Sequence, residues 1–459
     1  MTVQDMATLG LSVREIVDGY RQRRFSPVEI ARLYIAQVEK AEPACKAWVC
    51  YDAEKYLAAA RETEKRLMAG ATARALEGTP VGVKDIINTA EFPTQMGSPL
   101  WEGFTPGNDA RVVFHAKRAG ALVPGKTVTA EFAVHTLGKT ENPHDRLRNP
   151  GTSSSGSAAA VAAGMAPLAL GTQTAGSIVR PASYCGVYGM KPSFGLIPRT
   201  GMLKTTDSLD TVGFFVGCLE DAARVFDALR VHGRDYPLSD AALTDPARQD
   251  KPAGRPWRVA LVKTHTWPEA KDYAKEAFLE WAKKLAGAAG IEVTEADLPA
   301  GIERVHEVHA TVYDRALAYY FQEEFKNASL VSPIMNDLIR HGNAIAREEY
   351  WQAMTDQLAM ARSMDAFFTD NGYDILVSLS TAGHAPLRDE PEPRDPALIW
   401  TTTHLPVISA PALVSPAGLP FGVQLASRRY NDPLLLRFAN ALAADGLLPK
   451  GANPLFTAQ

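Results

Sequence analysis

The segment Gly171-Thr-Gln-Thr-Ala-Gly-Ser177-Ile-Val-Arg-Pro181 places a serine at the end of a run of small residues, directly after the strand-like Pro167-Leu-Ala-Leu170. Small side chains on both sides let the backbone approach a ligand closely. Consecutive amides at Thr174, Ala175 and Gly176 can converge on a developing oxyanion. This pattern suits acyl transfer with Ser177 as nucleophile. It equally suits a tight turn whose serine only caps a helix, and the local residues weigh the two evenly. A serine nucleophile needs a base, and the 10 histidines are scattered with no evident Ser-His-Asp arrangement.

Two other patterns invite chemistry and lose it on inspection. Gly120-Ala-Leu-Val-Pro-Gly-Lys126-Thr127 satisfies GxxxxGK[ST], but a phosphate loop requires strand, loop and then helix. Here the intervening residues are apolar and strand-like, and β-branched Val128-Thr129 follows. Nucleotide binding is not expected. His306-Glu-Val-His309 is one residue short of the zinc-protease spacing, so an amphipathic helix with ordinary polar residues is expected and no metal site.

The elements that must hold Ser177 alternate between strand and helix. Thr79 to Asn88 reads as a short buried strand carrying Lys84, Arg111 to Ala119 as a helix, and Gly120-Ala-Leu-Val123 as a strand ending at Pro124-Gly125. Asn149 to Ser157 looks like a flexible Gly/Ser linker taken alone. It runs straight into Ala158–Gly164, however, a small-residue helix able to pack beneath a loop. Upstream, the first seventy residues read as helices. Ser12-Val-Arg-Glu15 and Ser26-Pro-Val-Glu29 are capping boxes, and the helix from Tyr51 to Ala69 ends at Gly70. Downstream, Arg258 to Leu298 reads as strand–helix–strand, Asp374–Ser378 as a strand and Leu434–Ala443 as a helix. The alternation favours a single α/β sandwich. The polar, Pro- and Asp-rich Asp235 to Pro256 reads as an exposed loop; the Pro- and charge-rich Arg388–Asp395 reads as one too, or as a flap near the site.

Composition excludes several classes of function. The 459 residues carry 48 Lys plus Arg against 52 Asp plus Glu, a formal charge of −4, with no basic stripe for nucleic acid. The start, Met1-Thr-Val-Gln-Asp-Met6, lacks the features of a signal peptide. The apolar run Ser157 to Gly171 is too short for a membrane span and is broken by Gly164 and Pro167. Cys45, Cys50, Cys185 and Cys218 form no CxxC pair. A reduced, cytoplasmic protein is expected, with no membrane contact.

Taken together, Val83-Lys84-Asp85, Gly151-Thr-Ser-Ser-Ser-Gly-Ser157 and Gly171–Pro181 resemble the amidase signature family. So do Gly186…Gly189-Met-Lys-Pro-Ser193, Tyr373-Asp-Ile-Leu376 and Gly418-Leu-Pro-Phe-Gly-Val-Gln424, and the likeness runs from about residue 10 to 445. It implies a single domain over 1–459: one α/β/α sandwich with a large mixed central sheet covered by helices. An N-terminal helical segment (1–70) packs on a catalytic core (71–230). An exposed loop (231–257) follows, and residues 258–459 complete the sheet and supply variable pocket helices. The resemblance further implies that Lys84 is the catalytic lysine, Ser177 the nucleophile, and Ser153, 24 residues earlier, the bridging serine held in a cis peptide. Thr174, Ala175 and Gly176 then form the oxyanion hole, and the substrate is a small amide, carbamate or ester. No metal or organic cofactor is implied. Oligomeric state is open, with a homodimer among the expected assemblies, and some members work within amidotransferase complexes alongside partner proteins.

The sequence departs from the family pattern at Gln173, where many members carry Asp, and at Thr152, Ser155 and Ala175, which replace glycines. The arginine is displaced to Ser-Ile-Val-Arg180-Pro. These changes point to a different pocket, with Arg180, Ser154 and Gln173 as candidate substrate contacts. Arg180 either binds a carboxylate or other acidic group of the substrate, or is structural and pairs with a backbone carbonyl or a buried acid.

Overall fold

Among the described residues, eleven strands give the molecule its frame. They are β1 Trp48–Tyr51, β2 Val81–Lys84, β3 Gly125–Thr127, β4 Leu168–Gln173, β5 Tyr188–Lys191, β6 Thr211–Val216, β7 Trp257–Leu261, β8 Ile291–Glu295, β9 Ile375–Leu379, β10 Val407–Val414 and β11 Pro420–Ser427. They form one sheet in the order β1-β3-β2-β4-β6-β5-β10-β11-β9-β7-β8. The computed structural model describes residues 10–233, 237–251 and 253–451. β2 runs parallel to both β3 and β4, the middle of the sheet is antiparallel, and β9, β7 and β8 are again parallel. This is a mixed α/β sheet of the expected class.

Both faces of the central strands are covered, which explains why those strands read as continuous apolar or small runs rather than alternating ones. The period of two is visible in what each face meets. Leu168 and Leu170 of β4 and Phe214 and Val216 of β6 join the main core. Ala169 and Phe215 point the other way, into a second cluster built on the helix Ser155–Ala162. Ser157 on that helix donates to the Leu170 carbonyl at 2.8 Å and meets Thr127 at 2.7 Å. Residues 155–162 are therefore the layer beneath the site, not a linker.

Both expected capping boxes are present, at Ser12–Glu15 and Ser26–Glu29. Three expectations need correction. The N-terminal segment is not all helical: aromatic and β-branched Trp48–Tyr51 pairs with β3 as an edge strand, and the following helix starts at Ala53 behind the Asp52 cap. The strand expected over Gly120–Val123 begins instead at Gly125, because Gly120 sits at φ 100° and completes the turn out of the preceding helix. Part of 231–257 is ordered as the helices Pro237–Thr244 and Pro246–Gln249. The second is capped by Asp245 and anchored by Arg248 donating to Asn431 at 2.7 Å. Asp235 lies outside the described residues. Among the described residues, no helix is long and apolar enough to cross a membrane.

Candidate active site

Lys84 is the last residue of β2, at the carboxyl end of the strand, where parallel sheets place their sites. Its side chain is 0% exposed. Its amine lies 2.7 Å from Ser153 Oγ, 2.9 Å from Ser154 Oγ and 2.9 Å from Thr172 Oγ1. All three partners are neutral hydroxyls. Burial therefore drives the pKa of Lys84 well below the usual 10.5; Asp210 opposes the shift from a distance and Arg180 adds to it. Ser154 Oγ donates to the Thr172 carbonyl at 3.1 Å, so it accepts from Lys84. The Ser153 proton points to the Ala133 carbonyl at 2.9 Å, with the lysine nitrogen as its second possible acceptor.

The Ser153 loop is reversed by left-handed backbone at Gly151 (φ 100°) and Thr152 (φ 62°). Asn149 Oδ1 accepts from the amides of Gly151 at 2.7 Å and Thr152 at 3.2 Å. A side chain at 151 would lie 2.3 Å from Pro181 Cα, so the loop is pressed against the helix Val179–Cys185 that follows Ser177. Among the described residues there is no cis peptide bond. Ser153, expected in a cis peptide, is thus not presented by one, and the positive φ angles of Gly151 and Thr152 make the reversal instead.

Between β4 and that helix, the loop 174–177 is fixed through its carbonyls. His309 Nε2 donates to the Thr174 carbonyl at 2.8 Å, Thr401 Oγ1 to that of Ala175 at 2.7 Å, and the Arg180 amide to that of Gly176 at 2.9 Å. Thr174 Oγ1 donates to Asp210 at 2.7 Å. No acceptor among the described residues engages the amides of Thr174 to Ser177. Ser177 is 5% exposed, and its hydroxyl is likewise unbonded within them.

The three candidate substrate contacts take other positions. Gln173 is fully buried; its carbonyl oxygen accepts from the Ile178 and Val179 amides at 2.8 and 3.0 Å, and its amide donates to Thr401 at 2.9 Å. These bonds brace the turn around Ser177, and Gln173 is not among the residues lining the adjoining cavity. Ser154 is spent on Lys84 and Thr172. Arg180 pairs with Glu392 at 2.9 Å and Asp395 at 3.1 Å, the buried-acid alternative. Burial opposes its charge, yet Glu392 and Asp395 keep it protonated.

Arg180 lines a cavity of about 640 Å³ with Ala175, Thr152, His309, Tyr313 and Glu392. The segment 388–395 roofs it and is not a free surface loop: Arg388 donates to the carbonyls of Gly138 and Thr140, and Asp395 is buried. Asp395 also explains Gly176, since a side chain there would lie 1.6 Å from its carboxylate oxygen. His306 meets His265 at 2.7 Å. Burial holds both His306 and His309 down to about 4, so each is neutral near pH 7. Among the described residues, no group of His, Cys, Asp or Glu is arranged to hold a metal. Lys126 is also buried, and its amine is bound by Asp85 at 3.0 Å, Thr94 at 2.8 Å and the Pro93 carbonyl at 3.0 Å. This GKT is strand and ion pair, not a phosphate loop.

Sequence reasoning missed Thr172, Asp210, His309, Thr401, Glu392 and Asp395. Thr172 lies inside the stretch around Ser177, and His309 is visible in the sequence only as half of a failed metal motif. Glu392 and Asp395 fall in the Arg388–Asp395 segment that reads as a loop or flap, whereas Asp210 and Thr401 carry no local signal.

A family model described as Amidase matches residues 29–436. A glutamyl-tRNA(Gln) amidotransferase subunit from Picosynechococcus sp. is 30% identical, over 90% of this chain and 94% of its own length. The protein of the same name from Anaeromyxobacter sp. is 30% identical over 98% of this chain and 99% of its own. Among solved structures, the peptide amidase of Stenotrophomonas maltophilia matches with a TM-score of 0.82 at 26% identity, covering 97% of this chain and 99% of that one. A chain from a vestigial complex described as revealing the origins of an s-triazine catabolic enzyme matches with a TM-score of 0.85 at 27% identity, covering 96% and 100%.

Proposed function

This chain belongs to the amidase family, and from that premise we propose that it hydrolyses the carbon–nitrogen bond of small linear amides through an acyl-enzyme on Ser177. The observation that carries this reading is the Lys84 amine, buried among three hydroxyls with no carboxylate bound to it. Burial in that setting favours the neutral amine, and a neutral amine is a base.

A neutral Lys84 has two protons to donate and one lone pair. Ser154 and Thr172 take the protons, leaving the lone pair for Ser153. As Ser177 attacks the amide carbonyl, its proton passes to Ser153 Oγ while the Ser153 proton moves to Lys84. The oxyanion forms against the unengaged amides of Thr174, Ala175 and Gly176, whose carbonyls are held away by His309, Thr401 and the Arg180 amide. One such donor contributes roughly 3 kcal/mol to the transition state. Lys84 returns the proton through Ser153 to the leaving amine, and water then releases the acyl group. The same acyl-enzyme accommodates carbamates and esters. Arg180, already opposed by two carboxylates, anchors the roof of the cavity rather than binding a substrate carboxylate. Equal losses on matched neutral and acidic amides in Arg180→Ala support that assignment, and a loss confined to acidic amides contradicts it.

The test is a hydrolysis screen on aryl and alkyl amides, carbamates and esters, with Ser177→Ala and Lys84→Ala in parallel. Amine release by the wild type alone is the expected result, and full activity in either variant contradicts it. A second reading draws on the relatives named as amidotransferase subunits, 30% identical over nearly the whole chain. It predicts that turnover rises when partner proteins are added.

A further inference from the structure

Away from the site just described, a second concave surface of about 450 Å³ is lined by Arg111, His115, Arg118, His232, Thr200 and Val231. Arg111 and Arg118 stand at the two ends of the helix Arg111–Arg118, with His115 between them one turn from Arg118. His232 approaches from beyond the helix Glu220–Leu229. No side chain lining this surface is acidic. Neighbouring cations are paired: Lys117, on the same helix, holds Asp109 at 3.0 Å, and Arg230 holds Asp227 at 2.9 Å. Arg199, on the adjoining loop, lies over the Phe194 ring and donates to the Asp207 and Asp210 carbonyls. In contrast, neither the Arg111 nor the Arg118 side chain makes an ion pair or hydrogen bond among the described residues; Arg111 rests only on the Phe114 ring at 5.3 Å.

We propose that this cavity is a binding site for a small soluble polyanion carrying phosphate groups, separate from the amide-cleaving site. Two guanidinium groups with uncommitted donors match phosphate oxygens in geometry as well as charge. The volume exceeds that of a single ion and suits a diphosphate or a small organic phosphate. His115 adds a proton switch. His115 Nδ1 faces the Leu229 carbonyl at 3.1 Å, and His232 Nε2 faces the Asp227 carbonyl at 2.8 Å. A carbonyl only accepts, so each of those nitrogens carries the proton of the neutral ring. His115 Nε2 is left as a lone pair that becomes a donor only on protonation. Burial first, and then the Arg118 and Arg111 cations, hold His115 below its usual pKa against the pull of the Leu229 carbonyl. An arriving anion reverses the latter effect, so binding takes up protons and tightens as pH falls.

The experiment is calorimetric titration of the full chain with sodium pyrophosphate at about 150 mM salt, where weak surface attraction is largely screened. It compares the wild type with the Arg111→Gln/Arg118→Gln double variant and with His115→Gln, in two buffers of different ionisation heat. The expected result is one saturable site in the wild type. Affinity falls about tenfold or more in the double variant, amide hydrolysis is unchanged, and proton uptake is reduced in His115→Gln. Matching melting temperatures establish that the variants fold. No saturable heat, or equal affinity in the double variant, overturns the proposal. A headgroup source is separated by sedimentation with phosphatidic acid vesicles: binding that pyrophosphate does not displace overturns the small-anion reading. Because the readout is binding, the result stands whichever amide the enzyme cleaves.

Discussion

Two lysines sit side by side in this sheet, Lys84 on β2 and Lys126 on β3, in neighbouring registers of one parallel ladder. Both are 0% exposed and both amines make three contacts. They differ in one partner. Asp85 follows Lys84 in the chain but turns its carboxylate to Lys126 at 3.0 Å, while Lys84 is left with hydroxyls alone. Burial lowers both amines, and only for Lys126 does a bound carboxylate pull back. In the proposed mechanism Lys84 serves as the base, while Lys126 is the ion-pair partner of Asp85. Burial supplies the shift, and the presence or absence of an anion within hydrogen-bond reach decides which role results.

Removing each amine separates the roles most sharply. Lys84→Met is expected to lower kcat by roughly 10⁴-fold or more, with unfolding in urea nearly unchanged. Lys126→Met leaves Asp85 buried without its partner and is expected to lower the unfolding free energy by about 3–5 kcal/mol, with turnover per folded molecule largely kept. The same urea titration and amide assay on both variants check the pair.

A gentler perturbation converts one lysine into the other. Thr172→Asp places a carboxylate beside the Lys84 amine and raises its folded-state pKa towards that of an ion pair. The base must be neutral, so activity falls wherever pH lies below that pKa. Turnover near pH 7 is expected to drop by about 100-fold, and the acidic limb of the pH–rate profile moves to higher pH. An unmoved limb contradicts the assignment of Lys84 as base.

The histidines sharpen the comparison from outside. His309 is held near 4 by burial and donates to the Thr174 carbonyl as a neutral ring. His309→Phe is expected to loosen the nucleophile turn and reduce kcat about tenfold. It should neither remove nor create an inflection between pH 5 and 7. The smallest expected effect is at Thr94, a hydroxyl partner of Lys126 alone: Thr94→Val should remove about 1 kcal/mol of stability and leave the pH–rate profile in place.

Much of this was legible in the sequence wherever a motif is local. The capping boxes, the helix at 111–118, the strand bearing Lys84 and the small-residue turn before Ser177 all depend on neighbours in the chain. The identity of the base was not local. Lys84 and Lys126 have similar strand contexts, and only the resemblance to a family separated them, because Asp85 has to reach across to β3 before the difference exists. The roles of Gln173, Ser154 and Arg180 depended on contacts more than 200 residues away or inside the fold: Thr401, Lys84, Glu392 and Asp395. A polar residue beside a nucleophile reads as a ligand contact in sequence, and only packing shows that its hydrogen bonds are already made. From prolines and charges, 231–257 reads as an exposed loop and 388–395 as an exposed loop or a flap near the site. One contains two short helices and the other roofs the cavity through an ion pair that no periodicity encodes.

Activation of Ser177 by neutral Lys84 through Ser153 is the central claim, and it can be tested without knowing the substrate. The measurement is the rate at which a fluorophosphonate labels the protein across pH, with the labelled peptide identified by mass spectrometry. The expected result is label on Ser177, a rate that follows one ionisation well below 10.5, and loss of labelling in Lys84→Met. Labelling of Lys84→Met at the wild-type rate, or at a residue other than Ser177, would contradict it.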